Sequence, residues 1–320
     1  MGLKIHPEGH RLLILSKDFE EFKQIIIKAG LPNLSILAVD NPDEAIKLGH
    51  ECNLLFGEPS LIYQVLNHLP YLRWCQTTWA GVEPLLASDL RRDYTLTNAR
   101  NVYGAMMSEY VFGYLLFIER RILSRWQSQL NWKWDERPSG TLKDKVIGLL
   151  GVGTIGSHLA TTAHHFGMRV NGYTHNSETC RDVDQYFHED AILDFVSNLD
   201  YLVNSLPGTP ATKRLINADF LSALPRRAWL VNIGRGSTVD ESALVEALNY
   251  GMIAGALLDV FVEEPLPEDH PLWQTPNTYI SSHTAAKNFN PDIAALFIEN
   301  YKLYIIGKSL LYQVNFEKYY

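Results

Sequence analysis

The sequence predicts an α/β protein with two parallel, doubly wound sheets. Three observations carry that reading. Short apolar runs alternate with helical patterns from Arg11 to Ala99, and a second such series opens at Val146. A glycine-rich turn joins the first strand and helix of the second series. The chain's 320 residues also exceed one ordinary core, so two domains are expected.

In the first series the runs Arg11–Ser16, Leu34–Val39, Asn53–Gly57, Arg73–Thr78 and Thr95–Ala99 read as strands. The stretches Phe19–Ala29, Pro42–His50 and Ser60–Leu69 read as helices. One long helix is expected from Ala105 to about Leu130; being apolar around much of its circumference, it should pack at a junction. Asn131–Gly140, "NWKWDERPSG", reads as a surface loop. The second series places strands at Val146–Leu150, Arg169–Tyr173, Tyr201–Leu206, Trp229–Ile233, Ile253–Asp259 and Thr278–Ser282. A last helix runs from Asp292 to Ile306 and stops at Gly307.

Composition excludes several classes. Hydrophobic residues make up 46 % and charged residues 20 %, as in a soluble globular chain. A formal charge of −8 argues against nucleic-acid partners. The most apolar run, Tyr110–Ile118, lies between Glu109 and Glu119 and is too short to span a membrane. The opening "MGLKIHPEGHRLLILSKD" has no signal-peptide pattern. Cys52, Cys75 and Cys180 are scattered, so neither a disulfide framework nor a metal site is expected. A reducing cytoplasm fits these features.

The turn Gly151-Val152-Gly153-Thr154-Ile155-Gly156 follows the strand Val146–Leu150 and opens a helix, the context in which a GxGxxG pattern binds a dinucleotide. Gly151 makes the tight turn, Gly153 admits a pyrophosphate and Gly156 packs the helix on the strand. The helix N-terminus then offers free amides to the phosphates. At the end of the next strand an acid would select the NAD ribose. Thr174 and His175 stand there instead, followed by Asn176, and no acid appears before Glu178. NADP(H) is therefore favoured over NAD(H).

Arg235 ends the strand Trp229–Ile233, between Gly234 and Gly236. Ligands of open α/β sheets bind at that edge, and a guanidinium matches a carboxylate. The flanking glycines are expected to permit unusual backbone angles and close ligand approach. Successive strands then end near Asp259, with Glu263 and Glu264 beyond it, and near His283. A histidine beside a carboxylate is the usual proton donor near neutral pH.

"GVGTIG", "VNIGRGSTVDESAL", "LDVFVEEPLP" and "SHTAA", in that order and spacing, resemble the motifs of the D-isomer-specific 2-hydroxyacid dehydrogenases. Within that family the chain is similar to the glyoxylate/hydroxypyruvate reductase-like and phosphoglycerate dehydrogenase-like branch. The resemblance implies a Rossmann cofactor domain, residues 99–286, inserted in a smaller flavodoxin-like substrate domain of residues 1–98 and 287–320. It implies a homodimer formed through the long helix. It implies that Arg235 binds the carboxylate of a small 2-keto acid and polarises its keto oxygen. His283 would protonate that oxygen, and Glu264, the acid preceding the proline, would bond His283. Pro207, Thr212 and Ile233 join the glycine turn, Thr174 and His175 as cofactor residues. Asp259 matches a residue that holds the nicotinamide carboxamide, or is a strand-end cap. Asp240 matches a family acid but also reads as the N-cap of a helix Glu241–Asn249. In "QTTWAGVEPLL" the backbone amides of Ala80 and Gly81 would hold the substrate carboxylate. Trp79, where relatives carry a small residue, is either a pocket wall or core packing. Tyr103 and Met107 are weaker substrate candidates, and Glu83 reads as structural. Two alternatives stand beside this reading: a nucleotide-sensing binding protein such as the C-terminal-binding-protein corepressors, and a phosphoglycerate dehydrogenase drawing on Arg73, Arg91, Arg92 or Arg100.

Overall fold

The computed structural model describes residues 9–175, 177–286 and 289–317. It divides into two compact units, Met1–Val102 with Asn288–Tyr320, and Tyr103–Lys287.

The first unit carries β1 (His10–Leu15), α1 (Phe19–Lys28), β2 (Leu34–Val39), α2 (Pro42–Leu48), β3 (Leu54–Gly57), α3 (Pro59–Val65), β4 (Trp74–Thr77) and β5 (Thr95–Thr97). All strand pairs are parallel, in the order β2-β1-β3-β4-β5, the flavodoxin-like order. β3 and β4 are buried throughout, as strands covered on both faces must be.

The second unit begins with α4 (Gly104–Glu119) and α5 (Ile122–Leu130). Then come β6 (Val146–Leu150), α6 (Thr154–His165), β7 (Arg169–Tyr173), β8 (Gln185–Phe187), α7 (Ile192–Val196), β9 (Tyr201–Asn204), α8 (Ala218–Ala223), β10 (Trp229–Asn232), α9 (Glu241–Asn249), β11 (Gly255–Leu258) and β12 (Thr278–Ile280). The sheet is parallel in the order β12-β11-β10-β9-β6-β7-β8, a Rossmann fold whose order reverses between β6 and β9. One core cluster packs Phe195, Leu230 and Leu258 with α7 to α9. Another packs Val111, Leu115, Leu159 and Val231 with α4 and α6. The chain ends with α10 (Asn290–Ile305), back in the first unit, where Phe297 stacks on Trp74 at 5.1 Å.

Three expectations need correction. The long helix is two helices. Arg121 takes a left-handed φ of 54°, and Gly140 N donates to the Glu119 carbonyl at 2.9 Å, supplying a partner that a continuing helix would have given. Second, β8 went unseen because three residues carry too little periodicity. Third, the strands break off at Asn204, Asn232, Leu258 and Ile280, one to two residues earlier than the apolar runs suggest. The residues beyond those points leave the sheet and shape its carboxyl edge.

Candidate active site

The glycine turn has the geometry its sequence calls for. Gly151 has φ +97°, open to glycine and costly to other residues. A Cβ at Gly156 would lie 2.3 Å from the Gly151 carbonyl oxygen, so α6 crosses close to the turn. A Cβ at Gly153 would meet nothing within 4 Å, which leaves space in front of the α6 N-terminus. Thr154 and Ile155 open that helix, Val152 precedes it, and Gly151 N bonds the Tyr173 carbonyl at 3.0 Å, setting Thr174 beside the turn. An open cradle with free helical amides fits a nucleotide pyrophosphate. Across the switch point Thr212 ties its own loop, donating from Oγ1 to the Pro207 carbonyl at 2.7 Å and accepting from Thr209 N at 2.9 Å. Asn176 lies outside the described residues.

Arg235 follows β10 with an extended backbone, φ −141°. Its glycines are not there for unusual backbone angles, since neither has a positive φ. A Cβ on Gly234 would sit 2.6 Å from the Leu206 carbonyl oxygen, and one on Gly236 would sit 1.9 Å from the Phe261 carbonyl carbon. Both are small because neighbouring loops cross them. Beneath Arg235 lies a buried polar network that the sequence reading missed. Asn204 Nδ2 donates to Asn232 Oδ1 at 2.8 Å and Thr238 Oγ1 at 2.6 Å. Asn232 Nδ2 and Thr238 Oγ1 both donate to the Arg235 carbonyl, at 3.2 and 2.6 Å. These bonds fix the backbone that carries the guanidinium. A signal was present: two apolar strands, "YLVN" and "WLVN", end in asparagine, and the two residues pair in register.

His283 Nδ1 lies 2.8 Å from Glu264 Oε2, while Glu264 Oε1 accepts from Phe261 N at 2.9 Å. The carboxylate is thereby aimed, and it orients the imidazole through Nδ1. His283 has a left-handed φ of 54°, a conformation that costs about 1–3 kcal/mol outside glycine and gathers at functional sites. Asp259 over-determines it. The Asp259 carbonyl accepts from His283 N at 2.8 Å. Its buried carboxylate accepts from Ser281 Oγ at 2.6 Å, Thr284 N at 2.8 Å and Ala285 N at 3.1 Å. These are the bonds of a strand-end cap. Ser281 Oγ also meets Tyr110 OH at 2.5 Å, tying α4 to the histidine loop; burial pushes the tyrosine's ionisation well above its ordinary range. Ile233 is buried at the end of β10, and Asp240 caps α9 by accepting from Ala243 N at 3.2 Å. Tyr103 is buried and precedes α4; Met107 lies one turn into it, half-buried.

In the first unit the Trp79–Gly81 loop follows β4. The Trp79 carbonyl accepts from Thr77 Oγ1 at 2.7 Å and Ala99 N at 3.1 Å, and the Ala80 carbonyl accepts from Asn98 Nδ2 at 2.7 Å. A trans peptide sets its N–H opposite its C=O, so the Ala80 and Gly81 amides point away from these partners. Among the described residues neither amide has an acceptor. Trp79 is 43 % exposed, so it is not core packing. Glu83 opens a short 3-10 turn. No group of three His, Cys, Asp or Glu able to hold a metal ion occurs among the described residues, and no helix there is long and apolar enough to cross a membrane.

A Rossmann sheet with an open glycine cradle, an arginine and a His–Glu pair on one edge defines an NAD(P)-dependent oxidoreductase. Comparison with known proteins makes this specific. The family described as "D-isomer specific 2-hydroxyacid dehydrogenase, NAD binding domain" matches residues 112–285. The chain is 34 % identical over 239 residues to glyoxylate/hydroxypyruvate reductase A of Photorhabdus laumondii, covering 72 % of this chain and 76 % of that one. It superposes on a D-isomer specific 2-hydroxyacid dehydrogenase family protein of Aeromonas salmonicida with a TM-score of 0.91 at 39 % identity, over 96 % of this chain and 99 % of that one. A second superposition is on the D-isomer specific 2-hydroxyacid dehydrogenase of Xanthobacter autotrophicus Py2, solved with NADPH and MES; its TM-score is 0.85 at 27 % identity, over 98 % and 100 % of the chains. The chain belongs to the D-isomer specific 2-hydroxyacid dehydrogenase family and is an enzyme of that class.

Proposed function

We propose that the protein reduces a small 2-keto acid of the glyoxylate/hydroxypyruvate type to the D-2-hydroxy acid, using NADP(H) in preference to NAD(H). The observation that carries this reading is the His283–Glu264 pair, 2.8 Å apart and two strands beyond Arg235 on the edge that bears the glycine turn. The similarity to a named glyoxylate/hydroxypyruvate reductase supports the substrate class. The NADPH in the Xanthobacter relative supports the cofactor.

When bound, the reduced nicotinamide supplies hydride. The residues do the rest. Gly151–Gly156 receives the pyrophosphate at the α6 N-terminus, with Thr174 and His175 toward the ribose and Pro207, Thr212, Ile233 and Asp259 completing the cofactor set. Arg235 binds the substrate carboxylate and polarises the keto oxygen. His283 gives that oxygen a proton from Nε2 while Glu264 holds Nδ1. Charge grows on the oxygen during reduction, so a fixed cation and acid aimed there favour the transition state over the ground state. In the other unit, the outward amides of Ala80 and Gly81 are proposed as further carboxylate donors, and the exposed ring of Trp79 as a limit on substrate size. A homodimer is proposed on the exposed apolar side chains of α5 and the loop after it, Ile122, Trp126, Leu130, Trp132 and Trp134. The three free thiols accord with a cytoplasmic setting.

Arg91 bonds Asp93 at 2.6 Å and Arg92 bonds the Leu86 carbonyl at 3.1 Å. Those commitments weigh against Arg91 and Arg92 as ligands of a substrate phosphate. The test is loss of reduced-nicotinamide absorbance with glyoxylate, hydroxypyruvate, pyruvate and phenylpyruvate, in wild type and Arg235→Ala. The wild type should turn over the two smallest acids fastest. The variant should lose a hundredfold or more in kcat/KM, in the range of about 10²–10³ for removing one donor to a developing oxyanion, while still binding nucleotide. Equal kcat/KM would sink the assignment. Tight nucleotide binding without turnover of any acid would favour the sensing protein.

A further inference from the structure

We propose that Glu178 and His188 form a pair that sets the cofactor preference, His188 as the cation for a 2′-phosphate and Glu178 as the carboxylate that opposes it. The inference rests on the nucleotide reading of the glycine turn and adds residues to it.

The argument begins with the short edge strand. β8 pairs with β7 so that Phe187 lies opposite Tyr173, and Thr174 N donates to the Phe187 carbonyl at 3.1 Å. His188 is thus carried to the end of β7. A dinucleotide lying across a Rossmann turn sets its adenosine ribose there, about 20 residues beyond the glycines. The imidazole is tacked down at both nitrogens. Nδ1 lies 2.9 Å from the Thr174 carbonyl oxygen, so it carries a proton. Nε2 lies 2.7 Å from Glu178 Oε1. Two acceptors facing its two nitrogens favour the charged ring, and its proton affinity is raised first by Glu178, then by the Thr174 carbonyl.

A lone cation here would attract a 2′-phosphate, and a lone carboxylate would repel it and accept instead from ribose hydroxyls. The pair is close to neutral. Each partner therefore tempers the other, and the preference rests on the balance between them, because position 174 brings neither an acid nor an arginine. Both side chains keep an exposed edge, Glu178 more than His188, so a ligand phosphate can compete with Glu178 for Nε2.

Three proteins test this: wild type, Glu178→Gln and His188→Gln. Dissociation constants for NADP+ and NAD+ are measured by calorimetry, without substrate. In Glu178→Gln the affinity ratio NADP+/NAD+ should rise about tenfold, the worth of one charge-assisted contact, and in His188→Gln it should fall by a similar factor. Glutamine at either position keeps a hydrogen-bonding side chain, and circular dichroism checks the fold. Ratios within twofold of wild type in both variants would overturn the pair's role while leaving the turn as the nucleotide site. A wild type that binds neither nucleotide would overturn the nucleotide reading itself.

Discussion

Asn98 shows how much a single buried amide can organise. Its Nδ2 reaches the Ala80 carbonyl at 2.7 Å, and the peptide plane converts that bond into an outward Gly81 amide. Thr77 Oγ1 does the same for Ala80 through the Trp79 carbonyl. Neither side chain need touch substrate for the two donors to be aimed. If those amides hold the substrate carboxylate, as proposed, Asn98→Ala should raise KM for the keto acid about tenfold, the value of roughly one hydrogen bond of 1–1.5 kcal/mol. The nucleotide dissociation constant should stay the same. Steady-state kinetics beside nucleotide titration checks this; a change in kcat with unaltered KM would show that the loop is held some other way. Trp79→Ala belongs to the same loop. If the indole limits substrate size, phenylpyruvate should gain on glyoxylate in kcat/KM, and an unchanged ratio of the two would remove Trp79 from the pocket.

At the scale of elements, glycines separate folding from binding. Gly236 lies against the Phe261 backbone, where a Cβ would come within 1.9 Å, whereas a Cβ on Gly153 meets nothing within 4 Å. Gly236→Ala should cost about 1–3 kcal/mol, as overpacking does, seen as a lower urea midpoint. Gly153→Ala should leave that midpoint in place and weaken nucleotide binding tenfold or more, since the methyl group fills the space where phosphates approach. A normal midpoint for the first, or normal affinity for the second, would reverse the assignment. The sequence distinguished these elements unevenly, for physical reasons. The apolar strands β3 and β6 were legible because parallel strands buried on two faces are nearly all apolar. Arg235, Glu264 and His283 were legible because each follows a strand of one sheet. The reason for Gly234 and Gly236 was not, because it lies in Leu206 and Phe261, distant in sequence. Nor were Asn204 and Thr238, whose partners meet only once the sheet is built, nor the break at Arg121, which depends on Gly140 returning to Glu119.

For the whole molecule, the open question of assembly turns on α5. No residue of that helix is buried, yet its apolar residues fall on one side, and the loop after it holds Trp132 at 97 % and Trp134 at 89 % exposure. A monomer rarely leaves so many tryptophans in water. A formal charge of −8 opposes self-association in general, so any association must be driven by local apolar burial rather than by overall charge. The wild type should therefore sediment as a dimer at micromolar concentration, and its melting temperature should rise with protein concentration, as mass action requires of a folded state stabilised by association. Replacing Trp126 and Leu130 with Asp would put two charges on that face. The variant should sediment as a monomer whose melting temperature no longer depends on concentration, while its nucleotide affinity is retained. A variant that still sediments as a dimer would move the interface elsewhere on the protein, and a wild-type monomer would leave the exposed tryptophans to another purpose.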